Sequence, residues 1–380
     1  MTDQVPMRRR AAPVVDVANQ VQQKVANQPA CELESDRVEF IPTGSTVLNL
    51  AASQHGKKGG WARGRIINLV GDGSSGKTLL ALEACAQAFY GLQKIQSNLW
   101  PSVKEISIVY NNVEGVMDMP IEMMYGQRFV DAVEWLPDDG QRDAPMTCEA
   151  FGRDLLGRID NVKPGQALIY VLDSIDATTT DKGVERMDKS IKSGKALDGS
   201  YGSGVERAKY FSSEFFGQLC SRMSGKDVTV FLISQVREKL DAMAFGEKYY
   251  RAGGKALDFY THQVCWLAQV KKLVNEYAGQ RRIYGVKVRA RFKRNKVAKP
   301  FREADFDILF NYGVDDLASC ADYLTPEEIA GLVGKRISRE NLAAQADEDL
   351  NIREALVYAV IEKWGVVEEK TSVNRNGRWE

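Results

Sequence analysis

The chain has 380 residues, and its 51 Lys and Arg balance 51 Asp and Glu, so the formal net charge is zero. This length predicts two or three domains, and 44% hydrophobic with 27% charged residues is typical of a globular protein rather than a disordered one. The charge balance excludes a bulk attraction to nucleic acid, so any such binding must come from local basic patches.

Cysteines and histidines disfavour a disulfide framework and a zinc site. The six cysteines include no Cys-x-x-Cys pair, and His55 and His262 are isolated, which favours reduced thiols in a reducing compartment. No apolar run reaches the roughly 18 residues of a membrane span, and the start lacks the apolar core of a signal peptide. Arg8, Arg9 and Arg10 allow a transit peptide or a nucleic-acid arm, although a solvated basic end explains them as well.

Residues 1–36 are predicted to be an arm. Val14, Val17, Val21 and Val25 recur at helical spacing between polar residues. A stripe this short cannot form its own core, so it requires a partner surface on this subunit or on a neighbouring one.

A phosphate-binding loop is the strongest motif. The pattern G-x-x-x-x-G-K-[ST] is met by Gly71, Asp72, Gly73, Ser74, Ser75, Gly76, Lys77 and Thr78. A strand at Arg65–Val70 precedes it and a helix from Leu79 follows it, which is the context that the motif requires. We expect the three glycines to allow positive φ and close backbone approach, Lys77 to meet the β- and γ-phosphates, and Thr78 to bind Mg²⁺. The alternative is a glycine-rich turn with a chance Lys-Thr pair.

Further buried strands alternate with helices along the chain. Strands are predicted at 105–110, 132–136, 167–174, 228–234, 283–296 and 306–310, and a helix at 148–162. This alternation predicts an α/β fold with a mostly parallel sheet. Asp173 ends an apolar strand, where a carboxylate can hold the Mg²⁺ shell, although such a residue can also be a helix N-cap.

Two long polar segments, at about 176–207 and 236–254, lie between these strands. They mix cations with aromatic residues, which suits single-stranded DNA because phosphates attract cations and unstacked bases stack on rings; ordinary surface loops are the alternative. The candidate DNA-binding residues are Arg207, Lys209, Arg237, Lys239, Phe245, Arg251, Gly253 and Gly254. Residues 325–380 differ in character, and Thr325-Pro326-Glu327-Glu328 predicts the start of a small helical region.

The motifs in this order resemble the RecA family of recombinases, bacterial or phage-type, over residues 38–324. The resemblance is carried by Val38–Ser45, by the phosphate loop, by Gly253–Tyr260 (Gly-Gly-Lys-Ala-Leu-Asp-Phe-Tyr) and by Arg294–Phe301 (Arg-Asn-Lys-Val-Ala-Lys-Pro-Phe). The last two stretches separate this chain from other phosphate-loop ATPases.

The resemblance implies a RecA-type ATPase core at 37–324, between an oligomerisation arm at 1–36 and a helical domain at 325–380. It also implies helical filaments on single-stranded DNA, pairing and strand exchange with double-stranded DNA, and hydrolysis of ATP with Mg²⁺ at subunit interfaces. The expected location is the cytoplasm of a bacterial or phage-infected cell, with no membrane. Single-strand-binding and loader proteins are further expected partners.

The resemblance assigns roles to residues beyond the phosphate loop. Glu114 matches the carboxylate that activates water, Asp118 matches an adenine contact, and Gln235 matches the γ-phosphate sensor; the expected aromatic near Asp118 is replaced by Ile121. A surface acid is the alternative for Glu114, and a Gln that satisfies buried backbone groups is the alternative for Gln235.

Arg294 and Lys296 match two lysines that reach the ATP of a neighbouring subunit. Residues 281–302 contain ten Lys and Arg and no acid, so a solvated basic strand is the alternative. Two other protein classes share the same core: a ring-shaped motor or helicase, and a filament or mediator that binds ATP and DNA without turnover.

Overall fold

The structure is a computed structural model and describes residues 38–93, 100–115, 117, 119–137, 145–194, 202–238, 249–251, 254–373 and 375. The described strands are β1 Phe40–Ile41, β2 Trp61–Ala62, β3 Ile66–Gly71, β4 Glu105–Asn112, β5 Val133–Leu136, β6 Gln166–Asp173, β7 Asp227–Glu238, β8 Tyr249–Arg251, β9 Gln263–Tyr277, β10 Gln280–Asn295, β11 Glu303–Leu309 and β12 Gly313–Asp315. The described helices are α1 Thr46–Ser53, α2 Lys77–Gln93, α3 Ile121–Tyr125, α4 Gln127–Ala132, α5 Cys148–Asn161, α6 Asp181–Ser193, α7 Gly202–Lys209, α8 Phe216–Met223, α9 Gly254–Tyr260, α10 Asp316–Tyr323, α11 Pro326–Val333, α12 Arg339–Glu348 and α13 Leu350–Thr371.

One large sheet organises the described chain. Its strand order is β12-β11-β10-β9-β3-β7-β6-β4-β5, with β8 paired to β7. From β9 to β5 the neighbours run parallel, whereas β10 is antiparallel to both β9 and β11. The mostly parallel α/β sheet predicted from the sequence is therefore confirmed.

Burial of the central strands explains why their sequences are apolar. Every residue of β3 is buried, and so is every residue of β6 except its first, as expected where helices cover both faces of a parallel sheet. The carboxyl ends of β3, β4, β6 and β7 meet along one side of the sheet, which we call the carboxyl edge. The opposite side, where these strands begin, is the amino edge.

An aromatic cluster packs beneath this sheet. A π-helical segment, Tyr210–Phe215, joins α7 to α8 and buries Phe211 and Phe215. Phe215 lies 5.2 Å from Phe151 of α5 between ring centroids, and Phe151 lies 5.8 Å from Tyr170 of β6. Such pairs contribute about 0.5–1.5 kcal/mol each beyond area burial, so they hold the π-helical segment and α5 against β6.

The first polar segment contains more structure than the sequence predicted. Residues 181–193 form α6, capped by the Thr180 hydroxyl, which accepts from the backbone N–H of Gly183, and ended by left-handed Gly194. These are ordinary start and stop signals, and none of the residues of α6 is buried. Because residues 181–193 lack a wide apolar face, their sequence pattern predicted a loop instead of a helix.

The C-terminal residues pack as a unit of their own. Contacts divide the described chain after Val314, and α10 packs with α12 and α13. The predicted boundary lies later in the chain, at residue 325, and leaves residues 316–323 with the core. The predicted helix start at Thr325 is confirmed by a capping box with Glu328. None of the described helices is long and apolar enough to cross a membrane. The proposed arm at 1–36 lies outside the described residues.

Candidate nucleotide site and nucleic-acid interface

The phosphate loop connects β3 to α2 at the carboxyl edge. Among its three glycines only Gly76 has a positive φ, +86°, and a Cβ there would come 2.5 Å from the Ile308 side chain. Gly71 is required for space instead, because a Cβ would lie 2.3 Å from the Ser75 hydroxyl. A Cβ at Gly73 would meet no protein atom within 4 Å. Positive φ is therefore used only at Gly76, whereas Gly71 gives space to a neighbouring side chain and Gly73 borders open space.

Lys77 is held across the loop. Its Nζ donates to the backbone carbonyl oxygen of Asp72 over 2.6 Å, and the residue is only 9% exposed. Burial lowers the pKa of Lys77, against the opposing effects of Asp173 and Glu114. A buried ammonium group at the phosphate loop is suited to bind an anion, because the anion would offset the free-energy cost of burying the positive charge.

A hydroxyl and a carboxylate meet directly behind the loop. Thr78 Oγ1 donates to Asp173 Oδ2 over 2.7 Å, and the buried Tyr110 hydroxyl donates to the same oxygen over 2.8 Å. Burial raises the pKa of Asp173, while these two hydrogen bonds act in the opposite direction. Mg²⁺ binds through one or two protein oxygens together with substrate phosphates, so the donor set of Thr78 and Asp173 fits a magnesium–nucleotide complex.

Glu114 and Gln235 lie together at the same edge. Gln235 Nε2 donates to Glu114 Oε1 over 2.7 Å, and the Ser174 hydroxyl donates to the same carboxylate oxygen. Both Glu114 and Gln235 are exposed. The ends of β4, β6 and β7 thus bring an acid and an amide side chain, separated by 121 positions in the chain, to one point.

Arg294 and Lys296 lie at the amino edge, away from the phosphate loop. Asn295 pairs with Gln263, and Gln263 pairs with Ile67 near the start of β3. Four residues of strand, about 13 Å, separate Ile67 from Gly71. These two cations therefore belong to the side of the sheet opposite the nucleotide site of their own chain.

Their surroundings distinguish these two cations from three acid-paired cations earlier in β10. Lys287, Arg289 and Arg291 pair with acids of β11 at 2.6–2.7 Å. Arg294 instead lies 5.9 Å from the Phe259 ring centroid, and Lys296 Nζ donates to the Phe259 carbonyl oxygen over 2.5 Å. Burial lowers the pKa of Lys296, and the positive charge of the nearby Arg294 lowers it further. No carboxylate among the described residues pairs with either cation.

The candidate DNA residues are only partly visible. Lys239, Phe245 and Gly253 lie outside the described residues, and for Arg237, Arg251 and Gly254 only the backbone is described. Asp118, the expected adenine contact, also lies outside the described residues. Val236 pairs with Arg251 and Arg237 with Tyr250, so the two ends of the second loop form a short antiparallel ribbon. Lys209 is exposed at the end of α7.

Arg207 has an internal role that sequence reasoning missed. Its Nη1 donates to the carbonyl oxygens of Ile175, Asp176 and Thr178 at 3.3, 3.0 and 2.7 Å. It therefore ties α7 to the turn that follows Asp173. Tyr110 and Ser174 were missed as well; the position of Ser174 directly after the strand-end Asp173 was the available signal, whereas Tyr110 reads as one more apolar strand residue.

Comparisons with known proteins agree with this geometry. The family model for the RecA N-terminal domain matches residues 15–96 and 165–315, more than half of the chain. Protein RecA of a Nitratiruptor species is 29% identical over 306 residues, which cover 80% of this chain and 76% of the relative. Protein RecA of Oleidesulfovibrio alaskensis is 26% identical over 385 residues, covering 98% and 97%. Protein RecA of Caldanaerobacter subterraneus is 29% identical over 347 residues, covering 88% and 87%.

These matches do not favour the ring motor or the mediator without turnover. They extend through both the phosphate-loop region and the segment that carries Arg294 and Lys296. The chain belongs to the RecA family, and it is a recombination protein that forms filaments and catalyses strand exchange.

Proposed function

We propose that this protein is a DNA-stimulated ATPase whose active site is completed by a second copy of the chain. The single observation that carries the proposal is the division of the candidate residues between two edges of one sheet. Lys77, Thr78, Asp173 and Glu114 share the carboxyl edge, whereas Arg294 and Lys296 lie on the amino edge. A chain cannot bring both groups to one nucleotide, but head-to-tail copies in a filament can.

The proposed chemistry is attack of water on the γ-phosphorus of ATP. Glu114 takes a proton from the water as the new oxygen–phosphorus bond forms, and the bond to the bridging oxygen breaks, so that ADP leaves with the electron pair. Gln235 orients Glu114 through their 2.7 Å hydrogen bond. Thr78 and Asp173 would hold Mg²⁺, which would neutralise charge on the phosphates. Arg294 and Lys296 of the next copy stabilise the charge of the transition state.

Single-stranded DNA is proposed to bind along the segments that follow β6 and β7. Both segments leave the carboxyl edge within a few residues of Asp173 and Gln235, so DNA and nucleotide would be sensed by neighbouring groups. Cations and rings in these segments suit phosphates and unstacked bases. Since the family relatives are bacterial, we place this activity in the bacterial cytoplasm.

The test is steady-state ATP hydrolysis with and without single-stranded DNA, combined with electron microscopy of the DNA complex. We expect DNA to stimulate turnover, and Glu114→Gln to lower the stimulated rate about 100-fold to 10,000-fold, the contribution of a general base, while ATP-dependent filaments still form. Glu122→Gln, at an exposed position of α3, is the matched control. Wild-type turnover that ignores DNA, or closed rings in the images, would contradict the proposal.

A further inference from the structure

Strand β7 continues beyond the strand that supports it. The last pair between β6 and β7 joins Leu172 to Leu232, and β6 ends at Asp173, while β7 runs on to Glu238. The backbone N–H of Gln235 therefore has no carbonyl of β6 to donate to. The side chain of Asp176 takes over this position: its Oδ2 accepts from the Gln235 N–H over 2.8 Å.

This contact fixes the main chain of Gln235 next to its functional side chain. On the opposite side of β7, where the neighbouring strand is β3, Gln235 pairs with Gly71, the first residue of the phosphate loop. Its side chain then reaches Glu114. Asp176 is half-buried, and its carboxylate sets where the strand end lies between the phosphate loop and Glu114.

The turn that carries Asp176 is itself held from the first polar segment. Arg207 of α7 donates to three carbonyl oxygens of residues 175–178, including that of Asp176. Its neighbour Glu206 binds Arg186 of α6 through two hydrogen bonds of 2.7 and 2.8 Å. A continuous path of hydrogen bonds thus leads from α6 through α7 and the turn to Gln235.

We infer that Asp176 is a positioning residue for ATP hydrolysis, which aligns Gln235 with Glu114 and makes that alignment depend on the α6–α7 segment. The inference rests on the proposed function, because it assigns a second route by which DNA bound at this segment acts on the active site. The route enters through the turn that follows β6, and it is separate from the loop that directly follows Gln235. A carboxylate is suited to this position because a charge-assisted acceptor holds a backbone N–H more firmly than a neutral one.

Asp176→Ala tests the inference. Loss of the acceptor leaves the N–H of Gln235 unpaired, and we expect kcat with saturating single-stranded DNA to fall about tenfold. KM for ATP should stay within about twofold, since Lys77 and Thr78 keep their own hydrogen bonds to Asp72 and Asp173. Asp176→Asn keeps an acceptor oxygen in place and should restore kcat to within about threefold of wild type. Asp131→Ala, which removes the same charge from an exposed position of α4 outside both proposed DNA segments, should behave as wild type.

Several results would overturn the inference. One is wild-type kcat in Asp176→Ala; another is equal loss in the Asn and Ala variants, because that would indicate charge rather than positioning. If the Ala variant does not fold by thermal melting, Asp176→Glu replaces it, since a longer side chain displaces the acceptor and must lower kcat at constant KM. Failure of the proposed function is distinct: wild-type protein would then show no DNA stimulation at all.

Discussion

The two edges of the sheet differ in how their charged side chains are partnered. At the carboxyl edge, charged groups are interlocked within one chain: Asp173 accepts from Thr78 and Tyr110, and Glu114 accepts from Gln235. At the amino edge, the side chains of Arg294 and Lys296 contact the ring and the carbonyl oxygen of Phe259, and no carboxylate among the described residues pairs with them. One edge gathers the groups proposed to hold the nucleotide, and the other presents two cations that no described carboxylate pairs with.

This difference explains why activity and assembly are coupled in our proposal. Arg294 and Lys296 follow acid-paired cations along the chain, but no described carboxylate pairs with them. They are therefore arranged to meet an anion from outside the chain. The phosphates of a nucleotide held at the carboxyl edge of another copy provide that anion. The following variants test the comparison, starting with the largest expected effect.

Mixing two inactive variants gives the sharpest test of the division between edges. Lys77→Ala and Lys296→Ala should each lose at least about 100-fold in DNA-stimulated turnover, although Lys296→Ala monomers still bind nucleotide through Lys77. An equal mixture should recover about a quarter of wild-type activity, since one interface in four then combines an intact loop with an intact cation. The measurement is ATP hydrolysis of co-assembled filaments.

Lys58→Ala mixed with Lys77→Ala provides the control, because Lys58 is exposed and belongs to neither group of candidate residues. The ATP hydrolysis rate of this mixture should be proportional to the fraction of chains with an intact phosphate loop. No recovery in the first mixture, with both variants binding DNA, would place Lys296 in the same site as its own Lys77.

Asp173→Asn should separate activity from stability at the carboxyl edge. Loss of the carboxylate should lower turnover at least about 100-fold, because the metal loses a charged ligand. Without nucleotide the variant should be more stable than wild type at pH 7, by about 0.5–2 kcal/mol. Since burial raises the pKa of Asp173 in the folded state, the ionised form costs stability above its ordinary value of 3.8.

The stability gain of Asp173→Asn should therefore disappear as the pH falls below about 4, where the wild-type carboxyl is protonated whether folded or not. Chemical denaturation at pH 7 and pH 3.5 measures it. A destabilised Asn variant at pH 7 would show that the hydrogen bonds to Thr78 and Tyr110 outweigh the cost of the buried charge.

The smallest effect is expected for an acid-paired cation of the same strand. Arg291 pairs with Glu303 at 2.7 Å and is half exposed, and exposed pairs contribute about 0–1 kcal/mol. Arg291→Ala should leave DNA-stimulated ATP hydrolysis within about twofold. If it instead lost as much activity as Arg294→Ala, pairing with β11 would not be what separates the two groups of cations.

Sequence patterns predicted the elements of this fold well where a residue's role is local. The phosphate loop, the apolar strands and the capped helix at Thr325 all depend on neighbours within a few positions. Helix α6 was missed because its apolar residues are few and unburied. Arg207 was predicted only as a DNA contact, since nothing in its local sequence reveals three backbone carbonyls about 30 positions away.

The sequence by itself determined the chemical inventory: a phosphate loop, a strand-end Asp, an acid and an amide after two other strands, and a basic strand near the end of the core. These signals are local because backbone geometry and apolar periodicity are read over a few residues. Only the tertiary structure decided which groups meet and which stay apart. Parallel pairing brings Glu114 to Gln235, antiparallel pairing carries Arg294 and Lys296 to the far edge, and both outcomes depend on strand order, which no local pattern contains.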